Sequence, residues 1–160
     1  MRIGMKKLIF IIVAMLLASF TVLADDSKIN LTDFAHQYFA AMVATQAPNA
    51  TDKELENYLA FLTDDVGHSH LPYVTDDSRQ PDGKQAMRKG MTYYLGAHTE
   101  YSAELLDVFP FNDSAVAIRY KNSAAGIHPQ TQQAMSYSQV MMEVLELENG
   151  KVAVIRKYHE

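Results

Sequence analysis

MSYSQVMMEVLELENGKVAVIRKY, residues 135–158, decides the fold. Met135 to Leu147 reads as one long strand with alternating faces. Glu148-Asn149-Gly150-Lys151 follows, and Asn-Gly is the dipeptide that tolerates positive φ at both central positions of a two-residue hairpin turn. Val152 to Tyr158 returns as the last strand. Upstream, Tyr101–Phe111 and Ala115–Asn122 form a second hairpin about Asn112-Asp113-Ser114. Ser123–Thr131, with Gly126 and Pro129, reads as a longer connection. The second half of the chain is therefore an antiparallel meander.

The first half has the helical period. Leu31, Phe34, Ala35, Tyr38, Phe39, Met42 and Val43 recur at three- and four-residue steps behind an Asn30 or Thr32 cap. Ala47-Pro48-Asn49-Ala50 breaks that helix. Thr51 or Asp52 caps a second one carrying Leu55, Tyr58, Leu59 and Leu62, ended by Thr63-Asp64-Asp65. Val66–Tyr73 is a short strand, Thr75–Gly83 a loop, and Lys84–Ala97 a third helix with Met87, Met91, Tyr94 and Leu95 on one face. The expected class is α+β: three N-terminal helices packed on a curved, mostly antiparallel sheet, a cone with a pocket inside.

The N-terminus has its own logic. A basic Met1–Lys7 segment, an apolar run from Leu8 to Leu17 and small residues up to Ala24 make residues 1–24 a cleavable signal peptide, with residues 25–160 as one domain. The apolar run is short for a membrane-spanning helix, so no membrane anchor is expected after cleavage and the compartment is periplasmic or secreted. Removing Arg2, Lys6 and Lys7 with the leader takes the formal charge from −5 to −8, which disfavours nucleic acid. The chain has no cysteine, so its stability in an oxidising compartment rests on packing.

Element order and three stretches carry a resemblance. Gln37-Tyr38-Phe39 lies within the first helix, Phe61-Leu62-Thr63-Asp64-Asp65-Val66 precedes the short strand, and Glu148-Asn149-Gly150-Lys151-Val152 leads into Arg156-Lys157-Tyr158. Together they resemble the nuclear-transport-factor-2-like superfamily, in its SnoaL-like and ketosteroid-isomerase-like branch. That resemblance implies a cystatin-like roll, a small apolar or aromatic ligand, no cofactor, and a homodimer through the sheet. It also implies three catalytic candidates: Tyr38 as phenol donor, His70 at the position of the isomerase base, and Glu143 at that of its protonated acid. A histidine and a glutamate at positions where the isomerases carry aspartates depart from their pattern.

The residues themselves leave alternatives open. His68 and His70 share one strand face. One imidazole of the pair suits a base near neutral pH, and the spacing also suits a metal, with His98 or Glu143 completing the shell. Glu143 alternates with Met141 and Leu145, so burial there would raise its pKa and keep it neutral. Alternatively Met135, Tyr137, Met141 and Leu145 form an outward dimer face, with Glu143 paired to Arg119 or Arg156. His68, Tyr73, Tyr94, His98, Tyr120 and Tyr158 are the candidate ligand-binding side chains.

Overall fold

A computed structural model describes residues 29–160; the expected leader and its cleavage site lie outside the described residues. Along the chain run α1 (Leu31–Gln46), α2 (Asp52–Leu59), β1 (Leu62–Leu71), α3 (Gly83–Thr92), β2 (His98–Phe111), β3 (Ala115–Ile127), β4 (Ala134–Glu148) and β5 (Lys151–His159). The expected α+β class is what is observed. The sheet has the order β1-β5-β4-β3-β2. It is antiparallel except where β1 runs parallel to β5.

Local chemistry explains the helices. The Asn30 side chain accepts from the Thr32 and Asp33 amides at 3.0 and 3.2 Å and starts α1. Ala47 is extended at ψ 149°, as the residue before Pro48 must be, and ends it. Thr51 and Glu54 form a reciprocal capping box at the start of α2. α3 has no fully buried residue. It packs on β1 and α2, pinned by Lys84 to Asp64 and Arg88 to Glu56 at 2.7 and 2.6 Å.

Three boundaries differ from expectation. Leu62 opens β1 and does not close α2. α3 ends at Thr92, and Tyr93–Gly96 is a turn whose Gly96 has φ +71°. Ser123–Gly126, expected as a connection, continues β3, paired with β2 on one side and β4 on the other. Gly126 is required there: a Cβ would sit 2.1 Å from the Ala97 carbonyl oxygen.

The core occupies one end of the cone. Phe34, Tyr38, Leu55, Leu59, Ile118 and Ile155 are among its buried members, with Phe61 edge-on to Phe34 at 5.6 Å. Inner-facing residues alternate along β4, so Met135, Tyr137, Met141 and Leu145 face inward; the outward dimer face expected of them is not formed. Val140, Met142 and Val144 hold the outward positions.

β5 carries the decisive irregularity. A regular register from the Asn149-Gly150 turn would set Glu143 opposite Arg156. Instead Leu147 pairs Val152 while Glu146 pairs Val154, so Ala153 is an extra residue. Every later residue of β5 changes face. Lys157 and His159 therefore point in, and Arg156 and Tyr158 point out.

Candidate functional site

Beyond the core the sheet and α3 enclose a hollow of about 780 Å³, within the range of small-molecule sites. α3 contributes Ala86, Met87, Gly90 and Met91, spaced as one helical face, and the turn after it adds Tyr94. Met42, Met87, Met91, Met135 and Met141 make the walls adaptable as well as apolar. A Cβ built on Gly90 meets nothing within 4 Å, so that stretch of wall is open.

The floor is polar. Glu143 is fully buried. Tyr120 donates to its Oε1 at 2.6 Å, Lys157 Nζ to the same oxygen at 2.9 Å, and Tyr38 to its Oε2 at 3.0 Å. Tyr38 spends its only proton there, so the 3.0 Å contact between the Tyr58 and Tyr38 hydroxyls has Tyr58 as donor. Burial alone would raise the Glu143 pKa, but Lys157 and the phenol hydrogen bonds more than cancel it and hold the carboxyl below its ordinary value. The neutral acid expected from the sequence is thus an ionised carboxylate. Its partner is neither Arg119, which is joined to Glu160 and Asp107, nor Arg156, joined to Asp77 and Glu146. It is Lys157, whose pKa burial would lower but whose buried neighbour Glu143 raises.

Tyr38 and Glu143 are brought into direct contact but neither lines the hollow. They stand behind its wall, while Tyr58, Tyr120 and Lys157 face it. His70 does line it and is the direct neighbour of Lys157 in the register between β1 and β5. His68 lines it from the same face, the two rings 4.8 Å apart. Burial first, and then the Lys157 charge, lower His68 to about 3 and His70 to about 4. Both are neutral imidazoles at pH 7.

Among the ligand-binding candidates, His68, Tyr94, His98 and Tyr120 line the hollow; Tyr73 and Tyr158 do not. Tyr158 is turned out by the bulge at Ala153. Tyr73 is 77% exposed, its ring centroid 5.5 Å from that of His159. His98 is tied at both nitrogens, Nδ1 donating to the Gln46 carbonyl at 3.0 Å and Nε2 accepting from Tyr137 at 3.4 Å. Among the described residues no three His, Cys, Asp or Glu are placed to hold a metal ion.

Sequence reasoning missed Lys157, His159 and Tyr58. The two on β5 carry a signal that one inserted residue conceals. Lys157 and His159 alternate with the buried Ile155, and counting from Ile155 instead of from the turn places them inside.

No family model matches the chain, and no curated protein matches it. Solved structures do. An NTF2-like protein from Anabaena variabilis superposes with TM-score 0.60 at 18% identity, over 87% of this chain and 95% of that one. A protein described as a candidate polyketide cyclase from Pseudomonas putida gives 0.58 at 20% identity, over 82% and 92%. An epoxide hydrolase from M. tuberculosis gives 0.57 at 15% identity, over 80% and 84%. A cystatin-fold protein from Novosphingobium aromaticivorans gives 0.53 at 16% identity, over 76% and 97%. Architecture and comparisons converge on one conclusion: the chain has the nuclear-transport-factor-2-like fold, the α+β roll that its sequence resembles.

Proposed function

We propose that the protein is an exported, SnoaL-like small-molecule-binding protein that takes a largely apolar or aromatic ligand in the hollow. One observation carries this: about 780 Å³ of space with methionine and tyrosine walls and a polar floor. A cone plugged by side chains would have left only an interaction module. Neighbours of the same fold named as an epoxide hydrolase and a candidate polyketide cyclase support a small-molecule role.

The test uses 1-aminoanthracene, an uncharged fluorophore, with the wild type and Gly90→Trp. Gly90 lines the hollow and a Cβ there meets nothing within 4 Å, so the new side chain leaves the backbone without a clash. Saturable 1:1 fluorescence enhancement in the wild type, lost in the variant, supports the reading. Equal binding by both proteins, or none by the wild type, refutes it.

A cofactor-independent lyase or isomerase with His70 as base is the second reading. His70 favours it by facing the hollow beside Lys157. A basicity of about 4 makes it a weak base at neutral pH, and Tyr38 and Glu143, its expected oxyanion donors, lie behind the wall. Binding without turnover is therefore the better supported function. A homodimer through the outer sheet face completes the proposal. Leu106, Phe109 and Phe111 are exposed on β2, at 38%, 47% and 60%, and light scattering on the purified protein measures the mass.

A further inference from the structure

The buried ion pair poses a question that packing does not answer. Replacing a buried pair by apolar side chains is commonly neutral or stabilising, and Glu143 already has two phenol donors. Lys157 adds a third donor while facing empty space. Its ammonium has three protons, of which Glu143 Oε1 takes one. Among the described residues no other acceptor meets it.

The sign of the field at the floor follows from the same geometry. The pair is formally neutral, but Glu143 is fully buried behind the wall and its charge is shared with two phenols. At both His68 and His70 the push from Lys157 exceeds the opposing pull of Glu143. Among the described residues the only acid lining the hollow is Asp82, just before α3. A bound group beside those imidazoles therefore meets a net positive wall on which Lys157 still has free N–H groups.

Two polar atoms complete the set. Asn122, 8% exposed, lines the hollow with an Oδ1 that has no hydrogen-bond partner. His159 also lines it, with its buried Nε2 unpartnered. Buried polar atoms without partners are uncommon in folded proteins. Here both belong to residues of the hollow that already holds Lys157.

We infer that the hollow is a receptor for a monocarboxylate, its head on the Lys157 ammonium beside the His70 imidazole and its apolar body along the methionines of α3 and β4. This rests on the reading of the hollow as a ligand site and names the class of ligand. A charge-assisted bond to the ammonium is stronger than a neutral one, so the acid is distinguished from its own amide.

The experiment is displacement of 1-aminoanthracene by 4-phenylbutyrate, 4-phenylbutanamide and 4-phenylbutylamine. Wild type is compared with Gly90→Trp and with the charge-free double variant Glu143→Gln/Lys157→Met. In the wild type the carboxylate is expected to bind at least about tenfold more tightly than the amide, about 1.4 kcal/mol, with the amine weakest. The double variant is expected to bind acid and amide alike. The wild-type ranking decides the matter even if the double variant does not fold. Equal binding of acid, amide and amine by a wild type that still saturates with the dye overturns the inference and leaves the ligand site standing. A double variant that folds and keeps the acid preference also overturns it. Failure of the dye and all three compounds to bind overturns both.

Discussion

Truncating Glu143 to alanine removes the one group on which the floor converges. Three donors lose their acceptor: Tyr120 at 2.6 Å, Lys157 at 2.9 Å and Tyr38 at 3.0 Å. Breaking a buried ion pair from one side costs about 3–5 kcal/mol, because the remaining charge stays buried without compensation. Lys157 reaches the hollow, so water relieves part of that penalty, while Tyr38 is fully buried and has no such relief. The expected loss is therefore at the lower end, about 3 kcal/mol, a large share of the stability of a domain this size. Urea unfolding at pH 7 measures it, with the m-value unchanged if the fold survives. Glu143→Gln/Lys157→Met should cost less than the sum of its single substitutions, with a coupling of up to about 3 kcal/mol. A loss below about 1 kcal/mol for Glu143→Ala would refute the claim that the carboxylate is ionised and holds these donors together.

Stability should fall as pH drops from 6.5 towards 4, and further towards 3. His68 and His70 have folded pKa values depressed to about 3 and 4, so the unfolded chain binds more protons throughout that window. The contribution is present above the unfolded pKa and is lost as pH falls through the folded values; His68→Phe/His70→Phe should flatten the slope of urea stability against pH. Gly90→Ala should stabilise α3 by about 0.5–1 kcal/mol, because its Cβ meets nothing within 4 Å, and thermal melting reports the gain. Gly126→Ala should destabilise by about 1–3 kcal/mol, since its Cβ would lie 2.1 Å from the Ala97 oxygen; a melting temperature equal to wild type would contradict the tight approach of β3 to that turn. Mass spectrometry of the exported protein should find a chain beginning at Asp25.

What was legible in the sequence is what depends on period. Apolar steps of three and four found α1 and α2, and the Asn149-Gly150 turn found the last hairpin, with φ of +48° and +76° as such a turn requires. Composition misled at Ser123–Gly126, where small residues suggested a connection. They are small because two neighbouring strands and the Ala97 carbonyl press close there. The site depends on register, which a single residue overturns. Counting back from the turn brings Arg156 to Glu143 and Tyr158 into the hollow. The bulge at Ala153 sends both outward and delivers Lys157 and His159 instead. No local propensity marks Ala153 as the extra residue, so the pairing of Glu143 emerges only with the sheet assembled. His68 and His70 share the face toward the hollow, as their spacing implies, because β1 keeps an unbroken register with β5 from Gly67 to Leu71.

The most direct test of the whole account is a crystal structure of the mature protein grown with 4-phenylbutyrate. The account predicts the phenyl ring among Met87, Met91, Met135 and Met141, the carboxylate on Lys157 beside His70, and Glu143 behind the wall untouched by the ligand. It is contradicted if those methionines close over the space, or if Lys157 turns away from it and the carboxylate lies elsewhere.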